Sequence, residues 1–158
     1  MEERKDGAIM NTGDLQFRPE PSILRRGMSL KNILVVGRED HHRMLLAALL
    51  SEEGHSVLAS SSGNEALGLI QGGRANFVII DHCVPELDGM HLLEKIKELK
   101  ETIPVLVISA QYEVEPYITA MNLGALDYFG KPIDYVEIQR VVNTYDVVHS
   151  LPKHKYCS

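Results

Sequence analysis

The chain has no tryptophan, only three phenylalanines, and two cysteines, Cys83 and Cys157. Two cysteines so far apart make neither a disulfide framework nor a cysteine-based zinc site, and the expectation is a cytoplasmic protein with reduced thiols. Long apolar runs are missing. The longest, Met44 to Leu50, has seven residues, against the roughly 20 that a membrane span needs. The first thirty residues hold no apolar core of signal-peptide length. An excess of positive charge is missing too. Sixteen Lys+Arg against 22 Asp+Glu give a net charge of −6, which speaks against a broad nucleic-acid-binding face. After the first apolar run comes Gly37-Arg38-Glu39 and no glycine-rich phosphate loop, so a flavin- or nucleotide-binding enzyme has no support.

What is present is the balance of a globular protein, 44% hydrophobic and 24% charged over 158 residues. This length corresponds to one domain with tails. Residues 1–30 mix acidic side chains (Glu2, Glu3, Asp6, Asp14, Glu20) with basic ones (Arg4, Lys5, Arg18, Arg25, Arg26) and show no apolar period, which reads as a flexible leader. The domain proper is expected over 31–149, followed by a tail over 150–158. His149, Lys153, His154 and Lys155 make that tail weakly basic, but it is too short to read DNA.

Within the domain, strand-like and helical segments alternate. Strands are expected at Ile33–Val36, His55–Ser60, Phe77–Ile80, Pro104–Ser109 and Leu126–Phe129. Helices are expected from His41 to Glu53, closed by Gly54, and from Gly63 to Gln71 with Ala66, Leu67 and Ile70 on one face. A third starts near Asp88 and buries Leu92, Leu93, Ile96 and Leu99. A fourth carries Val114, Tyr117, Ile118 and Met121 at helical spacing and ends at Gly124. The last opens on Asp134-x-x-Glu137, which resembles a capping box, and presents Ile138, Val141, Val142, Tyr145 and Val148. Most strands are continuously apolar, so both sheet faces should be covered. That implies a doubly wound parallel sheet with helices on both sides.

In such sheets the site lies beyond the carboxyl ends of the strands. Asp81, Ser109 and Lys131 each follow or close a strand there. A carboxylate can attack phosphorus, an ammonium can neutralise phosphoryl oxygens, and a hydroxyl can donate to them. A structural Asp–Lys ion pair would use the same residues. His41, His42 and His82 could approach this edge with Asp81 and Cys83. Adjacent residues do not share a helix face, however, which favours loop histidines over a transition-metal site.

The stretch from Lys31 to about His149 resembles a response-regulator receiver domain of two-component signalling (CheY-like). The residues that carry the resemblance are Phe77-Val-Ile-Ile-Asp81 with Pro85 and Asp88-Gly89, Val105-Leu-Val-Ile-Ser109-Ala110, Gly124-Ala-x-Asp127-Tyr128, Lys131-Pro132, and Asn64-Glu65-Ala66-Leu67. The resemblance implies a flavodoxin-like fold with five parallel strands in the order 2-1-3-4-5. It implies Asp81 as the phosphoacceptor, Ser109 and Lys131 as phosphoryl-binding groups, Tyr128 as a switch residue packed near the fourth helix, and a cis Lys131-Pro132 bond. It further implies Mg²⁺ held by Asp81 and the backbone carbonyl of Cys83. Implied partners are a sensor histidine kinase or phosphotransfer protein and a downstream protein. A homodimer through helix four, strand five and helix five is also open, where Tyr117, Tyr128 and Tyr135 fall. The role is signalling and not enzymatic, with no direct nucleic-acid or membrane partner.

One departure stands out. Gly37 and Arg38 occupy the places of the family's acidic pair after strand one. A hard cation such as Mg²⁺ needs oxygen ligands, so losing two carboxylates and gaining a guanidinium should weaken its site. Three readings stay open at this point. Arg38 pairs with Asp81 and the domain is a phosphorylation-independent interaction module; or Arg38 substitutes electrostatically for the metal while Asp81 still takes phosphate; or Glu39 and Asp40 supply the missing carboxylates.

Overall fold

A computed structural model describes residues 30–82, 87–110 and 113–149. The leader up to residue 29, the tail from residue 150, Cys83 with its carbonyl, Pro85 and the side chain of Val148 lie outside the described residues. The order of elements is β1 (Asn32–Val36), α1 (Asp40–Glu52), β2 (Ser56–Ser60), α2 (Gly63–Gln71), β3 (Phe77–Asp81), α3 (Gly89–Leu99), β4 (Val105–Ser109), α4 (Val114–Asn122), β5 (Asp127–Gly130) and α5 (Tyr135–His149). The strands form one parallel sheet in the order β2-β1-β3-β4-β5, as the sequence implies.

The apolar strands feed two cores. Leu34, Val36, Val78, Ile80, Val105 and Val107 face α2, α3 and α4, where they meet Ala66, Ile70, Leu92, Leu93, Ile96 and Ala120. Their neighbours in sequence, Ile33, Val35, Phe77, Ile79, Leu106 and Ile108, face α1 and α5 and meet Leu46, Leu50, Ile138 and Val142. Each Val, Leu, Ile or Phe side chain among them gains about 1.5–3 kcal/mol on burial. Slipping a strand by one residue would exchange the two sets, so the register is firmly held.

Side-chain caps start three helices. Ser62 Oγ accepts from Glu65 N–H at 3.1 Å, Asp88 Oδ1 from Met90 N–H at 3.3 Å, and Asp134 Oδ1 from Glu137 N–H at 3.2 Å. Glu137 turns to Arg140 instead of completing a capping box. Gly54 and Gly124 end α1 and α4 at φ of 101° and 104°, where a side chain would be strained.

Three expectations need adjustment. The second strand starts at Ser56, because His55 N–H bonds back to Leu50 O at 3.3 Å and the His55 ring enters the core fully buried. Its Nδ1 accepts from Lys31 N–H at 3.1 Å, so Nε2 carries the proton and donates to Asn143 Oδ1 at 3.1 Å. Asn143 Nδ2 in turn donates to Glu53 Oε1 at 3.1 Å, tying α5 to the end of α1. Leu99 is exposed rather than buried, because α3 stops there and Lys100 turns the chain with an extended backbone. On α4 the inward face is Tyr117, Ala120 and Met121, while Val114 and Ile118 face solvent. The T-shaped contact of Tyr117 with Tyr128, centroids 5.9 Å apart, fixes that rotation.

Candidate functional site

Ladder register brings the site together. Asp81 closes β3 opposite Ile108 of β4, and Ser109, the next residue, lies opposite Gly130 of β5. Lys131 follows directly, its N–H donating to Ser109 O at 2.8 Å, before a cis bond to Pro132. Thus the expected triad sits on three adjacent strand ends. Lys131 Nζ donates to Asp81 Oδ2 at 3.0 Å, with side chains 20% and 12% exposed, so the pair is shielded yet reachable from solvent. Ser109 is buried beside it. Tyr128 is buried against α4 through Tyr117, where the resemblance places it.

Arg38, the expected partner of Asp81 in one reading, is exposed and forms no ion pair with any described residue. Asp40 is engaged by the Arg43 guanidinium, whose other arm donates to Gly37 O at 2.6 Å. Glu39, at the N-cap position of α1, is half exposed yet lines the cavity at Asp81. Its Oε1 lies 4.0 Å from Lys131 Nζ and 2.7 Å from His42 Nδ1, the latter not aligned as a hydrogen bond. No strand slip is needed for this, since β1 keeps Val36 opposite Ile80 and Gly37 N–H bonds Ser60 O at 3.0 Å. Glu39, His42 and Asp81 line a cavity of about 20 Å³ with Gly37, Arg43 and Ile133, room for roughly one water. The sequence suggested Glu39 only together with Asp40; that they part company follows from the α1 start, where Arg43 takes Asp40.

On the other side of Asp81, His82 N–H donates to Ile108 O at 2.7 Å and Gly89 N–H donates to His82 O at 3.0 Å, tying His82 to β4 and to the start of α3. Asp88 also faces His82 and His91, at 4.0 and 3.5 Å. Among the described residues no group of three or more His, Cys, Asp or Glu could hold a metal ion. For the family's Mg²⁺ site, the described residues offer little: Gly37 has no side chain, Arg38 is a cation, and the carboxylates that line the cavity, Asp81 and Glu39, both lie within 4.0 Å of the Lys131 ammonium. This described donor set does not fit the cation.

A doubly wound sheet with a partly buried acid, a hydroxyl and an ammonium gathered at its carboxyl edge has the architecture of a signalling receiver module. Residues 33–143 match the model of the response regulator receiver domain, and the chain belongs to that family. It is therefore a receiver domain of phosphorelay signal transduction. It is 38% identical over 108 residues, 68% of its length, to the transcriptional regulatory protein ZraR of Escherichia coli, of which it spans 24%. Sporulation initiation phosphotransferase F of Bacillus subtilis is 31% identical over 118 residues, 75% of this chain and 95% of that protein. The receiver domain of NtrX from Brucella abortus superposes with a TM-score of 0.66 at 33% identity, covering 70% of this chain and 93% of that one. The chain thus spans about a quarter of the transcriptional regulators it matches and nearly all of the phosphotransferase. No helix among the described residues is long and apolar enough to cross a membrane.

Proposed function

We propose that this receiver accepts a phosphoryl group on Asp81 from a phosphohistidine of a sensor kinase or phosphotransfer protein in the cytoplasm, and passes the signal to a protein partner. The observation that carries this is the Lys131–Asp81 pair at 3.0 Å beside buried Ser109. Asp81 Oδ attacks phosphorus, the P–N bond breaks, and the imidazole leaves and takes up a proton. An acyl phosphate remains. Asp81 is poised for attack because the hydrogen bond from Lys131 holds its carboxylate in place. Once phosphate is bound, Lys131 and the Ser109 hydroxyl are placed to face its oxygens, a charge interaction absent before transfer. Tyr128 and Tyr117 form the packed link from β5 to α4 through which a shift at Ser109 would reach the surface. No enzymatic turnover of a separate substrate is assigned to the domain.

The test is intact-mass spectrometry of the full chain after incubation with acetyl phosphate. The expected outcome is a gain of one phosphoryl group, absent in Asp81→Asn. No gain, or a gain that survives Asp81→Asn, overturns the assignment.

A further inference from the structure

We propose that the acceptor pocket disfavours a divalent cation, because Gly37 and Arg38 place no carboxylate beside Asp81 and the Lys131 ammonium already pairs with it. The inference rests on Asp81 being the acceptor, and it concerns what neutralises the site around it.

Position 37 is where a ligand would be most effective. A Cβ there would lie 3.5 Å from Asp81 Cβ and 3.9 Å from Asp81 Oδ2, in ordinary contact. Space and direction for a carboxylate therefore exist, but the chain supplies only hydrogen. Its neighbour Arg38 adds a positive charge, which raises the cost of bringing a dication close. Among the described residues the one additional carboxylate that lines the pocket is the half-exposed Glu39, with Lys131 Nζ 4.0 Å from it and 3.0 Å from Asp81. The His42 ring, 2.7 Å from the same Glu39 oxygen, occupies its other flank. Mg²⁺ keeps several of its waters and is held by one or two carboxylates, so Asp81, an acid already paired with an ammonium, is a weak anchor for it. With the site arranged this way, transfer to Asp81 relies on Lys131 for charge neutralisation, and a chelator leaves it unaffected.

Paramagnetic broadening by Mn²⁺ of the amide resonances of Gly37, Asp81 and Lys131 reads the site directly, without any need for phosphorylation. Wild type is expected to show no more broadening there than at surface carboxylates elsewhere. The Gly37→Asp/Arg38→Asp variant is expected to bind Mn²⁺ at least about 10–100-fold more tightly, the range that removal of supporting groups costs in metal sites. Lys131→Ala, which removes the ammonium paired with Asp81, is expected to gain broadening as well. The amide spectrum of each variant reports whether it folds. Saturable, Mg²⁺-competed broadening confined to these residues in wild type overturns the inference. So does a Lys131→Ala protein whose spectrum is native but whose Mn²⁺ binding is unchanged.

Acetyl phosphate uptake supplies a second readout. Equal uptake in EDTA and in Mg²⁺ supports the inference. Uptake that needs Mg²⁺ overturns it while leaving Asp81 as acceptor. If uptake fails in every condition, it is the acceptor assignment that falls, and the Mn²⁺ measurement still decides the cation question.

Discussion

Replacing His55 tests the buried polar link between the two ends of the domain. The ring has no exposed surface, and Lys31, whose N–H it accepts, is only 5% exposed. In His55→Ala that N–H and Asn143 Oδ1 lose their partners, and an unsatisfied buried group costs about 1–3 kcal/mol. The vacated ring volume adds a cavity penalty of the kind that makes large-to-small core changes cost about 2–5 kcal/mol. Partial relaxation keeps these from adding fully, so the expected loss is about 3–5 kcal/mol, out of the roughly 5–15 kcal/mol that holds a domain folded. His55→Leu fills most of the space but restores neither hydrogen bond, and should cost about 1–3 kcal/mol. Urea unfolding followed by circular dichroism measures both. Amide exchange near Asn143 should accelerate first, because Asn143 bridges His55 and Glu53 and so anchors α5 to the end of α1. A His55→Ala loss below about 1 kcal/mol would refute the reasoning. Full recovery by His55→Leu would refute the polar part of it.

Two further perturbations probe the start of α3 at the site and a partly buried cation away from it. In Gly89→Ala the new methyl would lie 2.7 Å from His82 Cα and 2.8 Å from His82 O, both backbone atoms, so the backbone at His82 or Gly89 must shift. The expected cost is about 1–3 kcal/mol with slower phosphoryl uptake at Asp81, whereas Gly68→Ala, with open space around it, should stabilise α2; a Gly89→Ala protein as stable as wild type would refute the contact. Burial lowers the pKa of Lys97 despite nearby Glu101, as Nζ caps the Glu101 and Ile103 carbonyls at 3.1 and 2.6 Å. Between that lowered value and the ordinary lysine value the unfolded chain holds more protons than the native one, so this group's contribution to stability rises with pH across the window. Lys97→Gln should flatten that rise in urea midpoints measured against pH, and an unchanged slope would count against it.

The sequence by itself determined the class of fold and most of the site. Continuous β-branched runs ending in Asp81 and Ser109 can only be satisfied with both faces covered, which forces the doubly wound parallel sheet. Parallel pairing then places the residue after each strand on one edge, so Asp81, Ser109 and Lys131 meet without further information. Periodicity was less decisive at helix ends and on exposed turns. Leu99, Val114 and Ile118 fit the apolar pattern, yet face solvent, because a helix's rotation is set by what it packs against, here Tyr117 on Tyr128.

The charge arrangement around Asp81 was the part only tertiary structure decided. In the sequence Arg38, Glu39 and Asp40 are three neighbouring charges, each a candidate to reach the acceptor. The start of α1 separates them: Asp40 is taken by Arg43 one turn on, Arg38 is turned to solvent, and Glu39 is left to approach Lys131. The His55 network was equally hidden, since its partners Lys31 and Asn143 lie 24 and 88 residues away. Strand composition encodes topology locally, residue by residue. Which of several adjacent charges meets a partner from a distant strand depends on a few degrees of backbone at a helix start, and that is fixed only when the sheet and its helices close on one another.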